Sequence, residues 1–422
     1  MARQTAEKNG RIALPFSASI ITAAALALAG CAQPASMGTA GLVPPDIQSS
    51  QDASDIAEKP GTPKPSATAE DAAGDADSAS SLVTEEAAPA EAAVPAPTLM
   101  PQGNIKASAA PQPAAAERTA LVPGTYQPSA ENTGVPAGTA LVPYNTSGAD
   151  LVITRDGTVL DGLEIYGDIK VRAANVTIKN SRLHGGRHIP GSNTGIIDAN
   201  NAAVANLVVH DNTIIPDKPS YYRDGIVGHD YAALRNHIQR TNDGLGIFNR
   251  PGGPAAANVR AEANYIHSLT YWSYDPAHSD GTHNDGIQVQ GGENIRLAGN
   301  NVVANAVLGE GSGPNPRGDH AGIGIMLQQN VAKLANVVVE NNWVDDGQTS
   351  INIAHGKYAN ITVTVRSNYL GRNQYDFGNG STYPIRIISR AASTVYGLDS
   401  NRWADTLALL VEGRDGGIRY NS

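Results

Sequence analysis

Three carboxylates mark where this chain could do chemistry. Asp224, Asp243 and Asp285 each stand immediately before a glycine and an alternating aliphatic run, as Asp224-Gly225-Ile226, Asp243-Gly244-Leu245 and Asp285-Gly286-Ile287. The related runs Thr194-Gly195-Ile196, Ala321-Gly322-Ile323 and Thr349-Ser350-Ile351 carry no acid at that place. If these repeats stack, the three side chains lie about 5 Å from their neighbours along one face. Like charges so placed repel, so at least one should hold its proton more tightly than a free aspartate unless a cation or a charged histidine intervenes. Such a column suits a Ca2+ site built from Asp224, Asp243 and Asp285, or the acid and base of glycoside cleavage. One Asp-Gly pair would more often be a turn. Three in register, two of them preceded by Asn242 and Asn284, favour a functional column.

Two long insertions point to the same place. From the asparagine or aspartate that opens a repeat to its glycine or serine, the short units use 14 residues (230 to 244, 336 to 350). The units opening at Asn258 and Asn294 use 28, so both insertions leave one edge just before the acid column. The first carries Tyr271, Trp272, Tyr274, Asp275, His278, Asp280 and His283; the second carries Glu310, Arg317, Asp319 and His320. Flat rings beside hydrogen-bonding groups suit a sugar, and loops on a rigid scaffold are the usual home of binding residues. His283 and His320 flank the column as proton-transfer candidates, and Gln288, Asn352 and Arg386 point outward from neighbouring strands. His184, His188, His210, His229, His237 and His267 are read as surface or loop residues, and Trp343 and Trp403 as packing or end-cap residues.

The elements that must position these groups are repeats. One phrase recurs: an asparagine, a short strand, a second asparagine six places on and an aliphatic residue eight places on. It runs as Asn206…Asn212-Thr213-Ile214, Asn258…Asn264-Tyr265-Ile266, Asn294…Asn300-Asn301-Val302 and Asn336…Asn342-Trp343-Val344. Variants start at Asn175, Asp230 and Asn360. Interleaved with the Asp-Gly phrase, this gives two short period-2 strands per unit, separated by turn residues. Start-to-start spacings of 31, 24, 28, 36 and 42 exclude a propeller, and the leucine content excludes a leucine-rich horseshoe. The expectation is an all-β, right-handed parallel β-helix of about seven or more coils, each burying its aliphatics only by stacking on its neighbours. Asparagines repeated at one bend can form a hydrogen-bonded ladder along it.

Residues 1–30 read as an export signal: Arg3, Lys8 and Arg11, then an apolar stretch, then Leu28-Ala29-Gly30-Cys31. Cys31 is the one cysteine in 422 residues, which leaves no disulfide framework and no thiolate metal site. Residues 31–130 are rich in Ala, Pro, Ser, Thr and acids, with almost no aromatics, and read as a disordered tether reaching roughly 50–60 Å. Much of the net charge of −10 sits in the tether, and no basic patch suggests nucleic acid. The folded domain is then 131–422, and the expected state is a monomer.

The segment Leu28-Ala29-Gly30-Cys31 resembles a bacterial lipobox, which implies lipid on Cys31, attachment to a membrane and a folded domain outside the cytoplasmic membrane. Residues 132–141, Gly157-Thr158-Val159-Leu160-Asp161-Gly162, Asn175-Val176-Thr177-Ile178-Lys179-Asn180-Ser181 and Thr282-His283-Asn284-Asp285-Gly286-Ile287-Gln288 resemble a family of secreted bacterial β-helix proteins in the pectate-lyase-like superfamily. The resemblance covers about 131–422 and implies the fold more than a reaction. The Asn-Asp-Gly-aliphatic signature also resembles polygalacturonases, which combine acids from adjacent coils with a His and an Arg-Ile-Lys segment. Asp243 and Asp285 match those acids. His320 matches only loosely, with Ala321 in place of glycine, and Arg386 sits one coil further on, followed by Ile387-Ile388. Three readings stay open: glycoside hydrolysis, Ca2+-assisted elimination with Arg317 or a histidine as base, and glycan binding or adhesion without catalysis. A sugar-modifying reaction such as epimerisation is a further, minor reading.

Overall fold

The computed structural model describes residues 98–99, 105–106, 122–186, 194–251, 256–276, 278–376, 383–413 and 415–421, with backbone only at the first two pairs. Cys31 and the signal and tether residues up to 97 lie outside the described residues, as does His188. Among the described residues there is no α-helix, and no helix is long and apolar enough to cross a membrane.

Among the described residues most coils contribute three strands, not the two expected from the sequence, and these pair in parallel with their counterparts one coil away. Three long sheets result, of twelve, ten and ten strands, called here sheets 1, 2 and 3. The third strand was hidden by brevity: many sheet 3 strands have only two or three residues, such as Thr213–Ile214 and Tyr265–His267. A run that short shows no alternation of its own.

The interior is a set of aliphatic stacks. In sheet 1, Leu151, Ile169, Ile197, Ile226, Leu245, Ile287, Ile325, Ile351, Ile385 and Ile418 succeed one another on consecutive coils. Sheet 3 supplies Ile214, Ile238, Ile266, Val302, Val344, Leu370 and Trp403. All belong to one buried core. β-Branched side chains fill a pleated surface well, and no coil could bury them alone.

The asparagine phrase builds two ladders. The inner one, Asn212–Asn236–Asn264–Asn300–Asn342–Asn368–Asn401, is wholly buried, each amide donating to the next Oδ1. The outer one includes Asn258, Asn294 and Asn336, linked by Nδ2–Oδ1 bonds of 2.9–3.0 Å. Their φ values of 51°, 63° and 51° explain the residue choice, since asparagine tolerates the left-handed region.

The folded part begins earlier than residue 131. Thr98–Leu99 and Ile105–Lys106 pair with Leu151–Val152 and Leu160–Asp161, extending sheets 1 and 2 by one coil. Residues 122–135 then form a strap across the outer side of sheet 3, running against the coil order. Gly124 abuts Asn341, Pro128 O accepts from Asn301 Nδ2 at 2.8 Å, and Gly134 N donates to Arg235 O at 2.9 Å. Beneath the strap's end His237, Tyr265 and His267 stack, with the two histidine Nε2 atoms 2.8 Å apart. Burial pushes both histidines down, and His237 helps bring His267 to about 4. These are covered groups and not the surface residues expected. The same correction holds for His229, which is fully buried and bonded to Asp230.

Candidate active site

The three acids do fall in one column. Ile226 pairs with Leu245 and Leu245 with Ile287, so the residues two places earlier, Asp224, Asp243 and Asp285, succeed one another on consecutive coils. The glycine after each is required by crowding. A Cβ at Gly244 would stand 2.4 Å from Gly286 O and 2.5 Å from Ile266 Cγ2; at Gly286 it would meet Val302 Cγ1 at 2.3 Å. Asp-Gly recurs because the backbone passes hard against the next coil there, whatever the acid does.

Each acid has one oxygen engaged along the axis. Asp224 Oδ1 accepts from Asp243 N (3.1 Å), Asp243 Oδ1 from Asp285 N (2.8 Å) and Asp285 Oδ1 from Ile323 N (2.8 Å). The Asp224 and Asp285 carboxylates also turn toward the outer face. Gly246 and Gln288 lie between core residues in sheet 1 and therefore face outward. Asp224 Oδ2 would sit 3.3 Å from a Cβ at Gly246, and Asp285 Oδ2 is 3.4 Å from Gln288 Nε2. Asp243 and Asp285 are buried.

Beyond Asp285 the register differs from expectation. Ile323 pairs with Thr349, so Ile323-Gly324-Ile325 continues the phrase and Ala321-Gly322-Ile323 does not. Gly195 likewise pairs with Asp224, one place off the Thr194-Gly195-Ile196 alignment. In both cases the slip follows a loop, although Asp285, which follows the first long insertion, stays in register with Asp243. Gly322 instead caps the column: a Cβ there would be 2.8 Å from Asp285 Oδ1.

Both insertions rise between sheet 3 and sheet 1, and they brace each other through the parallel pair Leu269–Tyr271 and Ala306–Leu308. Tyr271 and Trp272 are buried in this packing, which corrects their reading as sugar platforms. Tyr271 donates to Asp280 O at 2.6 Å, and Gly309 lies flat against the Trp272 indole. Tyr274 alone of the three is exposed, at 49%. It meets Tyr221 edge-on at 6.2 Å and donates to Glu310 O at 2.8 Å, joining the two walls. Tyr221 and Tyr222 escaped the sequence reading because their loop belongs to a coil with no conspicuous insertion.

The polar residues of the first wall form a chain: Asp275 bonds His278 at 2.5 Å, His278 stacks on His283 at 4.2 Å, and His283 bonds Asp280 at 3.1 Å. Arg317 of the second wall closes it with a 3.2 Å contact to Asp280. Burial pushes Asp280 up, but His283 and Arg317 more than offset this and hold it at about 2. His320 bonds Asp346, a partner 26 positions further along the chain and so hidden from the sequence. That bond lifts the His320 pKa above the usual histidine range, while burial raises Asp346. His320 thus favours its charged form next to the loop that caps Asp285.

Two expectations for the column change. Asn284 has no exposure; it donates to Asn242 O and Oδ1 and to Thr270 O, each at 3.0 Å, so it braces the wall and does not face a ligand. The three acids stand in line and do not converge. Among the described residues no group of three or more His, Cys, Asp or Glu is placed to hold a metal ion. Gln288, Asn352 and Arg386 do face outward, on one column continuing through Met326 to Arg419.

No family model matches the chain, and comparison with curated proteins finds no match. Among solved structures the chain is similar to catalytic domains of GH87 alpha-1,3-glucanase. A variant in complex with nigerose is 12% identical, with 65% of this chain and 71% of that one covered and a TM-score of 0.23. A variant in complex with tetrasaccharides gives the same identity and coverage and a TM-score of 0.19. Values this low carry no argument about activity. The fold class, an all-β parallel β-helix, rests on the pairing above.

Proposed function

We propose that this protein is a polysaccharide-cleaving enzyme displayed outside the cell, anchored by lipid on Cys31. The observation that supports it is the column Asp224–Asp243–Asp285, set on consecutive coils at the foot of two braced loops. Neighbouring coils put adjacent carboxylates about 5 Å apart, the separation used by retaining glycosidases. In this reading Asp243 and Asp285 are nucleophile and acid/base. His320, biased toward its charged form, is an auxiliary proton donor, and Tyr274 offers a ring to a sugar face. A specific observation favours a second reading: each column acid already serves a backbone N–H of the next coil, as a purely structural ladder in a glycan-binding module would.

Incubation with a panel of plant, algal and bacterial polysaccharides separates the readings. New reducing ends without an unsaturated-uronate absorbance indicate hydrolysis, both together indicate elimination, and retention without cleavage indicates binding. Cleavage that persists in Asp243→Asn and Asp285→Asn would remove the site assignment. Anchoring is tested separately: Cys31→Ser should release the protein from the membrane fraction.

A further inference from the structure

We propose that Arg386 and Arg419, beside Asn352 on the outer face of sheet 1, form a subsite for an anionic group of the polysaccharide, a uronate carboxylate or a sulfate ester. The inference deepens the reading above and rests on it for the word polysaccharide. Asn352, Arg386 and Arg419 pair in register on three successive coils, between core residues Ile351, Ile385 and Ile418 and their successors, so all three face outward. The Arg386 Nε donates to Asn352 Oδ1 at 3.0 Å, a neutral acceptor. The Arg419 guanidinium lies 5.4 Å from the Tyr383 ring.

Among the described residues neither guanidinium has a carboxylate within ion-pairing distance. That sets them apart from the other part-buried arginines among the described residues; Arg155, Arg182, Arg240 and Arg402, also without an ion pair, are exposed. Arg223 rests on Asp168, Arg235 on Asp211, Arg250 on Asp230, Arg296 and Arg366 on Glu340, and Arg317 on Asp280. Arginine is rarely left part-buried without an anion, because desolvation costs energy that only an opposite charge repays. Here two such cations are stacked about 4.8 Å apart, one coil from the next. Burial lowers the pKa of Arg386 to about 10, and Arg419 adds to the fall. An incoming anion would relieve both effects, and a planar fork beside a second one suits a carboxylate or sulfate oxygen pair. The place also fits the column. From Gln288, which touches Asp285, to Arg386 is three coils, about 14 Å along the same outer row. A glycan lying along the solenoid could occupy both.

The test uses one backbone with three chemistries: equilibrium binding of the purified protein to dextran, carboxymethyl-dextran and dextran sulfate. Binding to at least one anionic polymer should exceed that to dextran by about tenfold or more. Preference for carboxymethyl-dextran identifies the uronate source, and preference for dextran sulfate the ester. Arg386→Gln and Arg419→Gln should each erase most of the difference. Arg366→Gln, on sheet 2 and already paired, should leave it intact. Arg386→Gln should melt no lower than the parent, since it removes a cation without a counter-charge; this separates lost binding from lost folding. Equal binding of all three polymers, insensitivity to both substitutions, or an equal loss in Arg366→Gln would overturn the proposal. Cleavage does not enter this readout, so failure of the Asp243–Asp285 assignment stays distinguishable from failure of the subsite.

Discussion

Replacing Asn300 by alanine tests the physical basis of the whole scaffold. Its Nδ2 donates to Ala261 O (2.8 Å) and Asn342 Oδ1 (2.9 Å), while its Oδ1 accepts from Asn264 N (3.0 Å) and Asn264 Nδ2 (2.9 Å). Asn264 Nδ2 keeps Ala233 O, and Asn342 Oδ1 keeps the Asn300 N–H. The Asn264 N–H, however, loses the acceptor its ladder provides, in a site with no exposure. Such an orphan costs about 1–3 kcal/mol, and the other three bonds contribute about 0.5–1.5 kcal/mol each. A loss of about 3–7 kcal/mol follows, a large share of a domain's usual stability. Asn294→Gly is the control. Asn294 is exposed, its two ladder bonds compete with water, and glycine takes over φ 63° without strain, so the cost should stay below about 1 kcal/mol. Urea unfolding followed by circular dichroism measures both. If Asn300→Ala costs no more than Asn294→Gly, the buried ladder does not hold the coils together. The consequence reaches the site, because Val302, two residues on, is the side chain against which Gly286 packs beneath Asp285.

The remaining predictions concern the walls. The Asp346 bond raises the pKa of His320 above 6.5, so the pair's stabilisation is complete below that pH and is lost as pH climbs through the raised value. Urea midpoints of the parent should therefore fall relative to His320→Asn between about pH 6 and 9, and parallel profiles would show that the pair contributes nothing. Trp272→Ala removes a buried ring and should cost about 3–5 kcal/mol, read as a lower melting temperature. Tyr274→Ala should leave melting nearly unchanged yet weaken retention of glycan about tenfold, by a ring-face contact worth roughly 1 kcal/mol or more. Equal melting losses in the two variants would mean that Tyr274 is packing.

What could be read from the chain was set by periodicity. The aliphatic alternation, the asparagines six apart and the Asp-Gly phrase repeat because every coil meets the same neighbours, so residues far apart in sequence face one physical demand. Register held from Asp224 to Asp243 and, across the first insertion, on to Asp285, and slipped after other loops, at Ala321 and Thr194. Pairings across loops left no trace: nothing in the order of residues couples His320 to Asp346, Tyr221 to Tyr274 or Arg386 to Arg419. Burial inside a loop was equally silent, because a Tyr-Trp pair looks the same whether its rings cover a sugar or each other. The strap at 122–135 was missed for a related reason. It has the composition of a tether and is ordered by what it lies against.

The column itself poses a choice of chemistry. An asparagine at 224, 243 or 285 would offer the same Oδ1 to the next coil's N–H, just as each of the inner ladder's seven asparagines offers its Oδ1 to an N–H of the preceding coil, and would avoid any repulsion. Where the column continues, at Ile323 and Thr349, no acid is needed. Unit charges about 5 Å apart repel by about 3 kcal/mol at an effective dielectric of 20. Three aspartates are thus an expensive way to make a bond that asparagine makes freely. The consequence is measurable. Asp243→Asn, which removes a charge flanked by two others, should melt no lower than the parent at neutral pH and should gain more than Asp224→Asn or Asp285→Asn, each with one neighbour. Asp285→Ala deletes the acceptor of Ile323 N–H and should lose about 1–3 kcal/mol. If all three asparagine variants are destabilised as much as Asp285→Ala, the acids serve the coil alone, and the case for chemistry at this column falls with them.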